Sequence, residues 1–229
     1  GGDALPQRVR EAFEKGFGLN IMEGYGITEA SPVVSINPSP LTRVPGSAGP
    51  VIEAINLRIV DDNGNELPTG ETGEIILSGD PISPGYYNNP QENQASFRNQ
   101  WFYTGDLGKI DEKGLLYIEG RKKELIIVSG FNVFPQEIEE VIMSFPGVVR
   151  TAVVGVQRAS RGEMIKAYVV PNENITIDPT EIVRFCRKEL ASHKVPRIVE
   201  IVAELPQTVT GKVMKYMISS SGNEIEVIE

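Results

Sequence analysis

The sequence is poor in the residues from which disulfides and metal centres are built. Among 229 residues it has one cysteine, Cys186, and one histidine, His193. A single cysteine excludes an internal disulfide and any zinc site with several cysteines, and a lone histidine gives little support to a metal role. Cys186 lies on the apolar face of a predicted helix, so we expect a buried structural thiol. We expect His193 at the surface or at a helix end.

Long apolar runs and excess positive charge are also missing. No run approaches the roughly 20 apolar residues of a membrane span, although peripheral membrane contact stays open. With 22 Lys and Arg against 31 Asp and Glu, the net charge of −9 argues against general nucleic-acid binding. The first residues, "GGDALP", show neither an initiator methionine nor a signal-peptide pattern. We therefore expect a segment of a longer, cytoplasmic protein.

Residues 1–121 read as one helix followed by short strands. "PQRVREAFEKGF" has apolar residues at helical spacing and a glycine stop. "AINLRIVDDNGNELPTGETGEIILSG" and "WFYTGDLGKIDEKGLLYIEGR" each predict two strands around a turn, and "GYYNNP" predicts a loop. These patterns predict a β-rich unit, built as a small barrel or a distorted sheet. Nine basic and 17 acidic residues place most of the net negative charge here.

Residues 122–229 alternate strands with helices. "ELIIVSG" predicts a buried strand, and "TAVVGVQ", "IKAYVVP" and "RIVEIVAELP" predict three more. "PQEIEEVIMSFPGV" and "DPTEIVRFCRKELASHK" predict helices that begin at a proline, the second with the pattern of a capping box. The fold class that follows is α+β, with a small α/β unit after a boundary at about 121–123.

The stretch "EGYGITEAS" carries the residue types of a ligand site. Gly24 and Gly26 flank Tyr25, so the backbone could come close to a ligand on whose flat ring the tyrosine stacks. The hydroxyl of Thr28 beside the carboxylate of Glu29 could hold a hard cation and a phosphate oxygen together. Taken alone, the stretch fits an ordinary turn with a helix cap equally well.

Two more stretches combine charge with glycine. In "YTGDLG", Asp106 could accept hydrogen bonds from vicinal hydroxyls, as acidic residues do with ribose, although a plain aspartate turn has the same pattern. In "EGRKKELIIVSGFNVFPQEIE", Arg121 could reach ribose and phosphate, and Lys122 and Lys123 charge a linker. Gly130 opens a path for backbone or ligand before a helix. A charged hinge alone would explain the lysines.

Lys212 follows a glycine in "LPQTVTGKVMK", near the end of the sequence. A phosphate-binding P-loop would need glycine at position 206 and serine or threonine at position 213. Pro206 and Val213 stand there, so the P-loop is excluded. In isolation, Lys212 fits a solvated loop lysine.

The order of these strings resembles the adenylate-forming superfamily. "YGITE", "GETGEIILSGDPISPGYYNNP", "WFYTGD", "GRKKELIIVSGFNVFPQEIE" and "LPQTVTGK" follow one another over nearly the whole chain. The superfamily includes acyl-CoA synthetases, luciferases and the adenylation domains of peptide synthetases. "IIVSGFNVFPQEIE" looks most like fatty acyl-CoA ligases. The resemblance implies that 1–121 end a large AMP-binding domain, with a β-barrel-like subdomain, and that 122–229 form its small mobile domain.

The resemblance also implies a role for each site residue. Tyr25 and Gly26 would lie by the adenine, Thr28 by phosphate, and Glu29 would hold Mg²⁺. The remaining assignments are Asp106 and Arg121 at the ribose, Lys123 at the hinge, Gly130 at the entry of the pantetheine arm of CoA, Gly2 in the acyl and adenine pocket, and Lys212 as the lysine that enters the site during adenylation.

The implied activity is that of an ATP-dependent acyl-CoA ligase that acts on a carboxylic acid, for which we expect a fatty acid, with ATP, Mg²⁺ and CoA. The family's phosphate loop would lie upstream of residue 1, so we expect the chain alone to be inactive without that N-terminal part. Some relatives have a second lysine where this chain has Ile127, and no such role carries over. An acyl-carrier-protein ligase, a peptide-synthetase adenylation domain and a non-catalytic nucleotide-binding or interaction module remain alternatives.

Overall fold

The structure is a computed structural model that describes residues 5–158, 162–209 and 211–219. The chain divides into two compact units, Gly1–Lys123 and Glu124–Glu229. That these units are the two domains implied by the resemblance stays a prediction. Gly2 lies outside the described residues. Within those residues, no helix has the length and apolar character that crossing a membrane requires.

The first unit begins with the predicted helix, α1 (Gln7–Phe17), which ends at Gly18 in a left-handed conformation. Two short strands, β1 (Gly24–Gly26) and β2 (Val33–Ile36), then pair antiparallel around a 3₁₀ turn at Thr28–Ala30. The "EGYGITEAS" stretch therefore forms a small hairpin, and its 3₁₀ turn carries Thr28 and Glu29.

A six-stranded antiparallel sheet makes up the rest of this unit. In chain order its strands are β3 (Gly49–Pro50), β4 (Asn56–Val60), β5 (Gly73–Ser78), β6 (Phe97–Arg98), β7 (Trp101–Ile110) and β8 (Leu115–Arg121). The spatial order is β3-β8-β7-β5-β4, with β6 also beside β7. Register shifts interrupt both the β5–β7 and the β7–β8 pairings, so the sheet is distorted, one of the two predicted forms.

A short helix in this unit was not predicted. The stretch "GYYNNP" predicts a loop, yet α2 (Pro90–Ser96) begins at its last residue. The side chain of Asn89 accepts a hydrogen bond from the N–H of Glu92, and Pro90 occupies the first turn. Asparagine before proline is a regular helix start, so the signal was present in the sequence.

The second unit starts with a hairpin and a helix. Strands β9 (Ile126–Val128) and β10 (Phe131–Val133) pair antiparallel across a two-residue turn. Helix α3 (Pro135–Met143) follows, with proline in its first turn as predicted and with Ile138 and Ile142 fully buried. The strand predicted for "ELIIVSG" is therefore present, but it is only partly buried because Ile127 is 53% exposed.

A three-stranded sheet forms the centre of the second unit. Its strands are β11 (Val148–Arg158), β12 (Gly162–Pro171) and β13 (Ile198–Ile201). The first pair is antiparallel, whereas β12 and β13 are parallel and joined through α4 (Pro179–Glu189). Helix α5 (Lys215–Ser219) is the last described element. These strands and helices confirm the predicted alternation and the α+β class.

Apolar side chains cover both faces of this sheet. Val153 of β11 packs in a cluster with residues of α3 and α4, while its neighbours Ala152 and Val154 pack with Ile218 of α5. This alternation is the period of two that a strand imposes. Cys186 is fully buried on α4, and burial raises the pKa of its thiol to about 11. The prediction of a structural thiol is confirmed.

Candidate functional site

Tyr25 and Asp106 meet at the centre of the candidate site in the first unit. The Tyr25 hydroxyl donates a hydrogen bond to Oδ2 of Asp106 at 2.5 Å. Only 4% of Asp106 is exposed. Burial, and then the carboxylate beside it, raise the pKa of Tyr25 far above its usual range, so the phenol stays neutral and acts as the donor.

Arg121 completes this cluster from the neighbouring strand. Asp106 of β7 and Arg121 of β8 are direct cross-strand partners, and Nε of the arginine lies 3.1 Å from Oδ1 of the aspartate. The arginine side chain is 43% exposed, so the carboxylate is fixed from within while the guanidinium reaches the surface. A carboxylate held in this way is a preorganised acceptor for hydroxyl groups.

The conformation around Asp106 differs from the predicted turn. The residue lies inside the ten-residue strand β7, at a bulge where the register jumps from the pair Glu74–Leu107 to the pair Ile76–Tyr103. The glycine before it has a φ of 70°, which a residue with a side chain rarely adopts. "TGD" therefore bends a continuous strand, and the turn interpretation was wrong because the flanking residues keep their sheet partners.

Side chains fix the bulge from both ends. The hydroxyl of Thr104 donates to the carbonyl of Ile75 at 2.8 Å and accepts the N–H of Asp106 at 3.0 Å. The carboxylate of Glu74 accepts the N–H of Gly105 at 3.2 Å. These bonds satisfy backbone groups at a point where regular strand pairing is interrupted.

A cleft of about 560 Å³ opens beside the bulge. Its walls carry charge of both signs, with acidic residues from the β4–β5 turn and basic residues from the end of β8 and beyond. The residues that matter for the site are Glu74, Thr104, Gly105, Arg121, Lys122 and Lys123. Residues 121–123, at the end of the first unit, therefore line the same cleft as the part of β7 that precedes Asp106.

Glu29 has a fixed orientation that the sequence did not reveal. The hydroxyl of Tyr86 donates to Oε1 of Glu29 at 2.8 Å. Tyr86 is itself clamped by Asn93 of α2, whose side chain accepts the backbone N–H at 2.6 Å and donates to the carbonyl at 2.9 Å. In the sequence, "GYYNNP" predicts only a loop. Its paired tyrosines were the available signal for Tyr86.

Thr28 and Gly26 flank this carboxylate on the β1 hairpin. Thr28 is exposed on the 3₁₀ turn. At Gly26 a Cβ atom would lie 2.3 Å from the carbonyl oxygen of Pro32, so packing within the hairpin already requires glycine. The glycine pattern that suggested close approach of a ligand thus has a structural cause of its own.

The arrangement of acceptors limits the kind of metal site that is possible here. Among the described residues, no group of three or more His, Cys, Asp or Glu side chains could hold a metal ion. Glu29 is the carboxylate that the sequence predicted for this task. A single carboxylate suits an ion such as Mg²⁺, which takes most of its remaining ligands from phosphate oxygens and water.

Gly130 and Lys212 both lie in the second unit. Gly130 and Ser129, both with positive φ, form the two-residue turn between β9 and β10. Beside this hairpin the ring of Phe131 stacks on His193 with centroids 4.6 Å apart. His193 itself sits in a 3₁₀ turn after α4 and is partly exposed, as predicted. Lys123, the last residue of the first unit, is exposed.

Lys212 is presented by a tight loop. Its carbonyl accepts the N–H of Thr208 at 2.8 Å, its own N–H donates to the Thr208 hydroxyl at 3.1 Å, and Gln207 bridges to Val213. The Lys212 residue is exposed. These hydrogen bonds fix the backbone of Lys212 relative to Thr208.

A partly buried ion-pair network anchors the segment after this loop. Nζ of Lys215 lies 2.8 Å from Glu139 of α3 and 3.2 Å from Glu124. Glu139 also accepts the N–H of Val153, on the edge strand β11. Burial favours the neutral amine, but the two carboxylates outweigh it and raise the pKa of Lys215. The loop with Lys212 is thus tied to the body of its unit.

Two family models match the chain. The model described as "AMP-binding enzyme" matches residues 1–87, and the model described as "AMP-binding enzyme C-terminal domain" matches residues 137–212. Both regions contain strings from the sequence analysis, in the same order. The chain belongs to the AMP-binding enzyme family. The predicted resemblance is thereby confirmed.

Curated relatives in the AMP-binding enzyme family cover most of the chain. A long-chain-fatty-acid–CoA ligase of Escherichia coli O6:H1 is 41% identical over 215 residues, which is 94% of this chain and 38% of the relative. The Bacillus subtilis enzyme of the same name is 40% identical over 94% of this chain and 39% of its own length. The chain thus spans about two fifths of the length of these relatives.

Solved structures of family members share the fold. ATP-bound MatB from Rhodopseudomonas palustris is 38% identical, with a TM-score of 0.88 over 93% of this chain and 43% of its own. The o-succinylbenzoate CoA synthetase of Bacillus subtilis, in complex with its acyl-adenylate intermediate, is 31% identical, with a TM-score of 0.87 over 99% of this chain and 46% of its own. The mixed α and β architecture is that of adenylate-forming enzymes.

Proposed function

We propose that the chain is the C-terminal part of an ATP-dependent acyl-CoA ligase that activates a carboxylic acid of the fatty-acid class. The observation that carries the proposal is the 41% identity over 94% of the chain to a long-chain-fatty-acid–CoA ligase. The aligned stretch of 215 residues runs through both units, so it spans the positions of the Tyr25–Asp106–Arg121 cluster and of Lys212.

The proposed reaction has two half-reactions. In the first, a carboxylate oxygen attacks the α-phosphorus of ATP, the bond to the bridging oxygen breaks, and pyrophosphate leaves. In the second, the thiol of CoA loses its proton and attacks the acyl carbon, and AMP leaves. The first builds negative charge at phosphorus, and the second needs access for a long thiol arm.

In this proposal the first unit supplies the side chains that bind the ribose and the adenine of ATP. Asp106 accepts hydrogen bonds from the two ribose hydroxyls, and Arg121 lies beside it at the surface. Tyr25 holds the aspartate through its hydroxyl while its ring packs by the adenine, next to Gly26. The contacts among Tyr25, Asp106 and Arg121 support this assignment because residues of three strands together hold one carboxylate in a fixed position.

The turn of the β1–β2 hairpin supplies the side chains that would bind the phosphates of ATP and their metal ion. Thr28 would contact a phosphate oxygen, and Glu29, fixed by Tyr86, would be the protein ligand of Mg²⁺. When bound, the ion would neutralise phosphate charge and polarise the phosphorus–oxygen bonds. The protein's own contribution is the orientation of Glu29, which the hydrogen bond from Tyr86 maintains.

The second unit supplies Lys212 and Gly130 in this proposal. The ammonium of Lys212 would bridge the attacking carboxylate and the α-phosphate, which suits a compact charge on a flexible stem. Preorganised charge of this kind is worth on the order of a hundred-fold in rate. Lys123 would be the hinge, and Gly130 would line the entry of the pantetheine arm.

Separate assays of the two half-reactions test the role of Lys212. In the full-length protein that carries this chain, Lys212→Ala should slow pyrophosphate release by about a hundred-fold or more. Thioester formation from supplied acyl-adenylate should stay near wild type. Lys188→Ala, an exposed lysine on α4, is the matched control. Equal loss in both half-reactions would contradict the assigned role.

A second candidate function differs in the acyl acceptor, the molecule that receives the acyl group from the adenylate. An amide bond synthetase, McbA from Marinactinospora thermotolerans, is 32% identical with a TM-score of 0.83 over 94% of this chain and 44% of its own. An adenylating enzyme with another acceptor, such as an amine or a carrier protein, is therefore the second candidate. To distinguish the two candidates, preformed acyl-adenylate is mixed with CoA, with an amine or with a carrier protein, and the acylated product is measured. A cytoplasmic location and peripheral membrane contact stay predictions.

A further inference from the structure

Glu74 connects the bulge of β7 to the end of the first unit. It lies on β5 with its side chain 11% exposed. One carboxylate oxygen accepts the N–H of Gly105 at 3.2 Å, and the other lies 2.8 Å from Nζ of Lys122. Glu74 has no role in the proposed reaction so far, yet it contacts Gly105, the residue immediately before Asp106.

The contact with Gly105 replaces a missing strand hydrogen bond. Three residues of β7 face a single residue of β5 at the bulge, so regular pairing cannot satisfy the N–H of Gly105. Gly105 has a φ of 70°. Glycine can adopt more backbone conformations than any other residue, so its sequence alone does not fix this one. The carboxylate of Glu74 therefore selects one conformation at the point that sets the direction of Asp106.

Lys122 makes the burial of this carboxylate possible. A buried charge is costly unless it is paired, and Nζ of Lys122 pairs with both Glu74 and the exposed Asp62 at 2.8 Å. Burial lowers the pKa of Lys122, but its two acidic partners outweigh this and raise it, so the lysine remains charged. The ion pair thus supplies a counter-charge for Glu74 and holds its side chain in place against the bulge.

We propose that Glu74 is a positioning residue that holds the Asp106 carboxylate toward the ribose hydroxyls of ATP, with Lys122 as its counter-charge. The proposal rests on the proposed function, in which Asp106 binds those hydroxyls. It goes further by assigning to the second glutamate of "GETGEIILSG" a task in nucleotide recognition. Glu74 acts through the backbone of Gly105 and does not itself touch the nucleotide.

Nucleotide analogues test this role in the full-length protein. The KM of pyrophosphate release is measured for ATP and for 2′,3′-dideoxy-ATP, which lacks both ribose hydroxyls. Glu74→Ala should raise the KM for ATP by about ten-fold, because a misdirected carboxylate loses its hydroxyl contacts. It should change the KM for the dideoxy analogue by less than about two-fold, because those contacts are already absent.

Three further variants complete the design. Lys122→Met should show the same selective loss as Glu74→Ala but a smaller one, since the acceptor for Gly105 remains. Glu74→Gln should raise the KM for ATP less than Glu74→Ala does, because an amide oxygen can still accept the N–H of Gly105. Glu66→Ala removes a glutamate that is 60% exposed, and it should leave both KM values unchanged.

The outcomes separate this inference from the proposed function. An equal loss with both nucleotides in Glu74→Ala would overturn the inference, because it would show a general structural role. A wild-type enzyme that uses both nucleotides equally well would overturn the ribose role of Asp106 itself. Selective loss in Asp106→Asn together with unchanged nucleotide preference in Glu74→Ala would leave the proposed function standing and reject only the inference.

Discussion

The hydroxyl of Tyr25 and the carboxylate of Asp106 are 81 positions apart in sequence and 2.5 Å apart in the structure. One residue belongs to the β1 hairpin and the other to the bulged strand β7. Because the phenol keeps its proton, it acts as the donor, and this bond fixes the position of the almost fully buried carboxylate. The hairpin and the sheet are thus joined at the acceptor that the proposed function assigns to ribose.

Removing only the hydroxyl should weaken nucleotide binding and stability together. Tyr25→Phe leaves a buried carboxylate without its phenol donor, and we expect the free energy of unfolding to fall by about 1–3 kcal/mol. The KM for ATP in the full-length protein should rise about five-fold or more, because Asp106 is less firmly held. Denaturant unfolding and pyrophosphate release measure the two effects.

Tyr87→Phe is the matched control, since that tyrosine is 94% exposed. It should change the free energy of unfolding by less than about 0.5 kcal/mol. If Tyr25→Phe behaved like this control in both measurements, the bond to Asp106 would have no part in the site.

Tyr86 should make stability depend on alkaline pH. Burial, followed by the hydrogen bond to Glu29 and its charge, raises the pKa of Tyr86 to about 12. Between about pH 10 and pH 12 an unfolded chain loses this proton and the folded chain keeps it. The folded state then binds more protons, so the free energy of unfolding falls as pH rises through this window. Below it, the stabilisation is fully present.

Denaturant unfolding at about pH 9 and about pH 11.5 tests this in wild type and Tyr86→Phe. The wild type should lose more stability between the two conditions, because the variant lacks this titrating group. Other tyrosines contribute to both proteins and cancel in the comparison. Parallel pH dependences in the two proteins would show that Tyr86 titrates like a free tyrosine.

The sequence predicted elements better than it predicted contacts. Helices α1, α3 and α4 carry apolar residues at helical spacing with proline or glycine at their ends, so local chemistry specifies them. The bulge at Asp106 depends on Glu74, which is 32 positions earlier and belongs to another strand. A local reading of "YTGDLG" sees glycine and aspartate and predicts a turn, because the partner strand is not in view.

The candidate site shows the same division. The resemblance predicted Asp106 and Arg121 together at the ribose, and the structure brings Tyr25 against the same carboxylate. Tyr86 and Glu74 were missed, because their importance comes from a single contact with a residue far away in sequence. Positioning residues of this kind have no local signature beyond an ordinary tyrosine or glutamate in a turn or strand.

Two glycines with the same backbone conformation should differ sharply in their tolerance of a methyl group. Gly46 and Gly49 have φ values of 83° and 82°. A Cβ at Gly46 would meet nothing within 4 Å, whereas at Gly49 it would lie 2.4 Å from the backbone N of Asn37. Gly46→Ala should therefore cost about 1 kcal/mol of unfolding free energy, from backbone strain alone.

Gly49→Ala should cost about 3 kcal/mol or more, because β3 must move away from β2 to admit the methyl group. Since Gly49 pairs with Leu116 of β8, the same movement would disturb the sheet edge. Denaturant unfolding of the two variants measures the difference. Equal costs would mean that the loop relaxes freely and that β3 is not held against its neighbours.

The thiol of Cys186 should be inert in the folded protein. It is fully buried on α4, and burial raises its pKa to about 11. Only the thiolate reacts readily with alkylating reagents, and at about pH 8 roughly one thiol in a thousand would be ionised even before burial blocks access. We expect alkylation by iodoacetamide to be at least about a hundred-fold slower in native protein than in denaturant, as measured by mass spectrometry of the peptide that contains Cys186. Rapid labelling under native conditions would show that α4 opens far more often than its packing against α3 and β13 predicts.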